Sequence, residues 1–250
     1  MNTTAGIEAI KLTRGFNGSQ GVIYPTLIWD EGTAILVDTG EPIHLEAIRD
    51  AMEQVGVPFV RMNRIILTHQ DIDHIGGLPG LVQASAHPVD VMAHEEEKPY
   101  IEGLKPLIKL KKELLQEKLN SLPEDQQELR GQIDLLLNHT PGGRVSTVLK
   151  DQDVLPYGGG LTVIHTPGHT PGHISLYLGQ SKTLIAGDAI MYSEGKLRKP
   201  PEQFTPDMEQ AIQSILKLAK YDVETLICYH GGVYPGNAKQ ALAELAAECR

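Results

Sequence analysis

Four short fragments of the chain concentrate the residue types that bind metal ions: His69-Gln70-Asp71-Ile72-Asp73-His74, His169 in TPGHTPGH, Asp188 in IAGD and His230 in CYHGG. Imidazole nitrogen and carboxylate oxygen are the donors of divalent-cation sites. Each fragment begins just beyond an apolar run, where a rigid element hands its residues to a loop. In an extended segment alternate side chains share a face, which sets His69, Asp71 and Asp73 on one side and turns His74 aside. Two ions can then share the loop. His169 and His230 can each supply a nitrogen, and Asp188 has two oxygens able to bridge ions roughly 3.5–4 Å apart. A water held between two cations becomes a hydroxide near neutral pH, and a carbonyl on one cation is polarised as it is attacked. The oxyanion so formed needs a further donor, for which Tyr192, four residues beyond Asp188 in DAIMY, is the candidate.

The elements that must position these residues can be read from pattern. Residues 7–13, 22–29 and 33–38 are rich in β-branched and aromatic types separated by Gly, Asn, Ser and Asp, which predicts consecutive strands. Residues 43–55 change to helical spacing through Ile43, Ala47, Ile48, Met52 and Val55, with Gly56 and Pro58 as stop signals. Residues 64–68 form a short strand that runs straight into the first metal-ligand fragment. From about residue 93 to 140 the texture turns to Lys, Glu, Leu and Gln, and Pro123 divides two amphipathic stretches, 101–121 and 124–139. Strands return at 145–149, 161–165, 174–178 and 183–186. A helix at 207–221, a strand at 224–229 and a helix at 238–248 complete the chain. Strand groups paired with helices in both halves predict two sheets packed face to face with helices outside.

The order HxDxDH, His, Asp, His resembles the metallo-β-lactamase fold superfamily, whose signature is HxHxDH followed by a His, an Asp and a His. The match spans Asp38 to Gly232, with LVDTG at residues 36–40 as the first region. The resemblance implies an α/β fold, a four-layer αββα sandwich with a dinuclear site at one edge between the sheets. By position it implies that His69, Asp71 and His169 hold one ion, that Asp73, His74 and His230 hold the other, and that Asp188 bridges them. Asp38 is then expected to orient a ligand, His173 to bond locally, and Asp73 to pass a proton to the leaving group as well as to ligate. Tyr192 is similar to a Tyr in the same loop of lactone-cleaving members, one residue further along. Asp71 stands where the family commonly has His, and a carboxylate there moves preference from Zn towards Mn or Fe. Asp188 replaces the Cys ligand of antibiotic-hydrolysing members, so β-lactam hydrolysis is not expected.

Composition bounds the partners. The 250 residues fit one large domain, with a helical insertion at about 95–140 as a cap over the metal mouth or a dimer-forming hairpin. Its apolar residues Leu104, Leu107, Ile108, Leu114 and Leu115 form a stripe, while Lys105, Lys109, Lys111, Lys112 and Lys118 stay on polar faces. With 32 acidic against 22 basic side chains the formal charge is −10, which repels nucleic-acid phosphates. A small-molecule substrate is expected, no nucleic acid, no membrane, and a homodimer as the possible assembly. The start MNTTAGIEAI lacks the basic and apolar regions of a signal peptide. Two cysteines, Cys228 and Cys249, argue against a disulfide framework, so the expected compartment is cytoplasmic. His44 and His165 read as structural, Cys228 as a buried apolar residue, and His87, His94 and His139 flank the insertion.

The expected function is a dinuclear, metal-dependent hydrolase of a carboxylic ester-type bond, with two divalent ions, Zn foremost and Mn or Fe admitted by Asp71. A lactone such as an acyl-homoserine lactone is the leading substrate. A thioester of the glyoxalase II type is the first alternative; glyoxalase II adds a C-terminal helical domain, and here about 20 residues follow His230. Phosphodiester cleavage and iron-dependent redox chemistry on the same scaffold are the others.

Overall fold

A computed structural model describes residues 5–15, 20–138 and 142–250. Its frame is two six-stranded sheets. The first runs through Gly6–Ala9, Thr26–Trp29, Ala34–Val37, Met62–Leu67, Asp90–His94 and Thr147–Leu149. The second runs through Gly232–Val233, Thr225–Cys228, Thr183–Ile185, Ile174–Leu178, Leu161–His165 and Val154–Leu155.

Alternation along the strands sets the layers. Ile35, Val37 and Ile66 of the first sheet meet Val163, Leu176, Ile185 and Ile227 of the second in the core between them. Their chain neighbours Leu36, Ile65 and Leu67 turn the other way, onto Ile48 and Met52 of the helix Leu45–Gln54 and Leu78 and Leu81 of the helix Leu78–Ala84. On the opposite side Leu184, Leu226 and Cys228 cover Ile215 and Leu218 of Met208–Leu218 and Leu242 and Leu245 of Ala238–Glu248. Central strands apolar on both faces must be covered on both faces. The layers are therefore helix, sheet, sheet, helix, the expected αββα sandwich. Truncating Ile66 to Ala would cost about 2–5 kcal/mol.

Local signals fix the helix ends. The Asp207 carboxylate accepts the Gln210 N–H at 2.9 Å, and the Asn237 side-chain oxygen accepts the Gln240 N–H at 3.0 Å. The helix Leu78–Ala84, hidden by the Pro and Gly of LPGLVQA, starts with that Pro in its first turn, where a missing N–H costs nothing.

The insertion departs from expectation. Its helices are Lys98–Ile101, Lys112–Ser121 and Gln127–Asn138, and residues 102–111 between the first two are irregular. Gly103, at φ 73°, ends the first helix. The apolar stripe read from sequence is therefore split: Leu107 and Leu115 are buried, whereas Leu104 and Leu114 are 76% and 58% exposed. Leu115, Ile133 and Leu136 make a small core on which Ile72 and Leu110 pack, so the helical pair sits beside the loop that carries Asp71 and Asp73. His139 lies outside the described residues. Among the described residues no helix is long and apolar enough to cross a membrane.

Candidate metal centre

The strand Met62–Leu67 lies between two parallel neighbours, Ala34–Val37 and Asp90–His94, and delivers Thr68 and His69 at the sheet edge. The chain then turns rather than continuing extended. Asp71, with φ −65° and ψ 146°, precedes a single helical turn, Ile72–Ile75, which carries Asp73 and His74. This corrects the expectation that His69, Asp71 and Asp73 share one face: a helical turn rotates successive side chains by about 100°, so Asp71 stays with His69 while Asp73 and His74 form a second group. Gly77 seats the turn, because a Cβ there would come within 2.2 Å of the Thr39 carbonyl oxygen.

The structure brings all seven candidate ligands together in two adjoining groups. In the first, Asp71 Oδ2 is 3.2 Å from His69 Nε2 and 3.2 Å from His169 Nε2, and His169 Nε2 is 3.3 Å from Asp188 Oδ2. In the second, His230 Nε2 is 3.5 Å from Asp73 Oδ2 and 3.3 Å from Asp188 Oδ2, while His74 Nε2 is 3.4 Å from Asp188 Oδ1. Asp188 touches both groups. Nitrogen and oxygen donors about 2.0–2.1 Å from a tetrahedral ion are about 3.3–3.4 Å from one another, so these spacings fit divalent cations. Three donor atoms at the convergence, His69 Nε2, His74 Nε2 and Asp188 Oδ1, are buried without a hydrogen-bond partner. Unpartnered buried polar atoms are costly, and an ion satisfies them.

The surrounding bonds fix which nitrogen each ring presents. Asp38 Oδ2 accepts from Thr68 Oγ1 at 2.8 Å and from His74 Nδ1 at 2.9 Å. With the Thr68 proton given to Asp38, the 3.0 Å contact from Thr68 Oγ1 to His69 Nδ1 requires His69 to donate. Both rings therefore carry hydrogen on Nδ1 and direct Nε2 at the convergence, as expected of oriented ligands. Asp38 achieves this at φ 60°, a conformation that ordinary side chains adopt rarely. Burial and the adjacent His74 hold the His69 pKa well below its ordinary value, which keeps the ring in its metal-binding form. Burial would lower His74 as well, but the Asp188 and Asp38 carboxylates hold it well above. Burial would raise Asp71, and the contacts with His69, His169 and Lys109 pull it well below the usual carboxylate range.

A second polar chain holds Asp188. Ser175 Oγ donates to the Ala186 carbonyl at 2.9 Å, and so accepts from Thr166 Oγ1 at 3.0 Å. Thr166 in turn accepts from His173 Nδ1 at 2.8 Å, leaving His173 Nε2 to accept the Asp188 N–H at 3.0 Å. Burial and the charge of neighbouring rings keep His173 neutral, its pKa well below the ordinary value. Tyr229 stacks on His74 at 3.7 Å between centroids, and its hydroxyl donates to the Asp73 carbonyl.

Above the candidate ligands lies a cavity of about 280 Å³. Asp71, Asp73, His169, Asp188 and His230 line it together with Leu107, Leu110, Met191, Phe204, Arg14 and Lys109. Lys109 corrects its assignment to a polar face: Nζ lies 2.6 Å from Asp71 Oδ2 and 2.6 Å from His169 Nε2. Arg14 reaches the second group, 3.5 Å from Asp73 Oδ2, and is also paired with Glu41 at 3.3 Å. Tyr192 is not brought to the cavity. It lies in the hairpin strand Met191–Ser193, where neighbours face opposite sides; Met191 takes the cavity side and Tyr192 packs edge-on to Tyr234 at 5.3 Å.

Other histidines serve elsewhere. His44 binds the Glu41 N–H and the Thr13 carbonyl, and His87 is exposed away from the cavity. His94 and His165 stack at 4.3 Å with ring planes 8° apart, close to Glu96. Nitrogen lone pairs lie in the ring planes, so two parallel rings do not meet at one ion, and this third group is a poor metal site.

The residues missed by sequence reasoning, Arg14, Lys109 and Glu97, come from segments distant in the chain and carry no local motif. His173 and Thr166 sit within or beside TPGHTPGH, where a His four residues after a ligand was the available signal.

Comparison with known proteins agrees with this geometry. A family model described as "Metallo-beta-lactamase superfamily" matches residues 18–230. A Bacillus subtilis (strain 168) protein named "Probable metallo-hydrolase YflN" is 34% identical over 97% of this chain and 92% of its own length. A hydroxyacylglutathione hydrolase of Stenotrophomonas maltophilia (strain R551-3) is 28% identical over 81% of this chain and 57% of its own. Among solved structures, a metallo-beta-lactamase family protein from Thermus thermophilus superposes with a TM-score of 0.69 at 24% identity, covering 97% of this chain and 79% of that one. Sequence match, fold and ligand order agree, and the chain belongs to the metallo-beta-lactamase superfamily.

Proposed function

We propose that this metallo-hydrolase opens a carboxylic ester-type bond, with a lactone such as an acyl-homoserine lactone as substrate and two zinc ions as cofactor. The observation that carries the reading is the cavity: its floor is the donor cluster, and Leu107, Leu110, Met191 and Phe204 give it apolar walls suited to an acyl chain. Leu107 and Leu110 come from the insertion, which favours a cap over a dimer hairpin.

His69, Asp71 and His169 would hold one ion, Asp73, His74 and His230 the other, and Asp188 both. When bound, such ions lower the proton affinity of water and polarise a carbonyl oxygen. The chain's own groups do the rest. Asp38, Thr68 and His173 orient the ligands. Lys109, rather than Tyr192, faces charge developing on the carbonyl oxygen, because its ammonium is in the cavity and the Tyr192 ring is against Tyr234. Asp73 Oδ2, at the cavity wall beside His230 and Arg14, carries a proton to the leaving oxygen.

A thioester reading is favoured by the relatives named hydroxyacylglutathione hydrolase. The experiment compares kcat/KM of the zinc-loaded protein for acyl-homoserine lactones of increasing chain length, S-acyl glutathione thioesters, a phosphodiester and a β-lactam. The lactone reading expects the largest value for lactones, rising with chain length. A thioester preferred tenfold over every lactone replaces lactone by thioester, and a preferred phosphodiester removes the ester reading.

A further inference from the structure

Gln70, between the ligands His69 and Asp71 in sequence, is fully buried, and both its side-chain oxygen and its side-chain nitrogen are hydrogen-bonded. Its backbone N–H and its Nε2 both donate to Glu97 Oε2, at 2.9 and 3.0 Å. The other Glu97 oxygen accepts the N–H of Gly172, three residues after His169, at 2.7 Å. At its far end, Gln70 Oε1 accepts the backbone N–H of Ile108, next to Lys109, at 2.9 Å. One carboxylate thereby joins three segments that meet at the first ion: the loop of His69 and Asp71, the loop of His169, and the cap segment of Lys109.

The arrangement is too costly to be incidental packing. Glu97 is fully buried, and Lys98, beside it in sequence, pairs with Glu102 instead. Burial pushes its carboxyl above the usual carboxylate range, and the N–H groups of Gly172 and Gln70 pull against that shift. Space around it is also committed: a Cβ at residue 172 would come within 2.9 Å of Glu97 Cγ, so only glycine allows this approach.

We propose that Glu97 is the positioning residue of the first-ion subsite and of the cap: through Gly172 and Gln70 it fixes the separation of His169 from Asp71, and through Gln70 it holds Ile108 so that Lys109 stays over the cavity. The inference rests on the two-ion reading above. It requires no contact between Glu97 and substrate.

The test is a zinc titration of metal-free wild type, Glu97→Gln and Gln70→Leu against a competing chelator, with cobalt(II) spectra and hydrogen exchange at the Ile108 amide. Glu97→Gln keeps the size but turns an NH2 group towards N–H donors. It is expected to weaken one ion per chain by about 10–100-fold, to leave the other unchanged, and to alter the cobalt bands of one subsite only. Gln70→Leu keeps the Glu97–Gly172 bond and removes the acceptor of Ile108, so the Ile108 amide is expected to exchange at least about tenfold faster. Unchanged affinity for both ions in Glu97→Gln, or equal loss of both, overturns the proposal, since general damage does not choose a subsite. An unchanged Ile108 exchange rate in Gln70→Leu overturns its cap arm. If Glu97→Gln does not fold, Gly172→Ala is titrated in its place with the same expectation. Fewer than two ions in wild type overturns the two-ion reading, while Ile108 exchange still reads the link to the cap.

Discussion

Asp38 Oδ2 accepts the Nδ1 proton of His74 at 2.9 Å, so a residue outside the cavity decides that Nε2 is the nitrogen facing Asp188. The same carboxylate accepts the Thr68 N–H at 2.8 Å, which ties the strand end to the ring. Replacing Asp38 by Asn tests this with little backbone cost, because Asn tolerates the left-handed conformation found there. Asp38→Asn is expected to weaken one of the two ions by about 10–100-fold, as loss of an orienting partner does. Competition titration with a zinc chelator checks this, and wild-type affinity for both ions contradicts it.

Lys109→Met keeps the apolar stem and removes the ammonium from the cavity. The expected result is a fall in kcat of ~10²–10³-fold, with two ions still bound, if the ammonium stabilises charge on the carbonyl oxygen. Steady-state kinetics with metal content measured on the same sample distinguish this from loss of the ions. An unchanged kcat removes Lys109 from the chemistry.

Tyr192→Phe is expected to change kcat by less than about twofold, since the ring packs on Tyr234 and does not line the cavity. A fall of a hundredfold at unchanged metal content would restore the hydroxyl to the mechanism.

Acid stability offers a separate check on the scaffold beneath His169. Asp151 accepts Lys217 Nζ at 2.8 Å and the His165 N–H at 2.7 Å. Burial would raise its pKa, but these bonds hold the carboxyl below the usual range. With the folded value below the unfolded one of ~3.9, the stabilisation is present above that value and is lost as pH falls through the folded pKa. Asp151→Asn should therefore melt below wild type at pH 7, and the gap should narrow progressively as pH falls below about 4. A gap in thermal midpoint that is the same at pH 3 and pH 7 contradicts the assignment.

The seven candidate ligands are legible because local sequence carries both their types and their supporting strand ends: IIL before Thr68-His69 and LIC before Tyr229-His230 are apolar runs, and both are buried. The layers are legible for the same reason, since Ile35, Ile66 and Ile185 alternate with residues that face the helices. Local geometry and long-range contacts are not. Period-two alternation suggests an extended loop after His69, but Ile72–Ile75 is a helical turn, and that turn separates Asp73 from Asp71. An offset from Asp188 points to Tyr192, whereas the strand direction at Met191 decides which side chain enters the cavity. A continuous helical stripe would send Lys109 to solvent, and Gly103 with the irregular segment after it interrupts that stripe. Glu97 meets Gly172 across 75 residues, a contact that no window of sequence displays.

Two ions are expected to share this site through Asp188, whose two oxygens lie within 3.4 Å of His74, His169 and His230. The most direct measurement is the number of divalent ions bound per chain by wild type and by Asp188→Ala after saturation and removal of excess metal, read by elemental mass spectrometry. About two ions are expected in wild type and one or none in the variant. Two ions retained in Asp188→Ala would contradict this expectation.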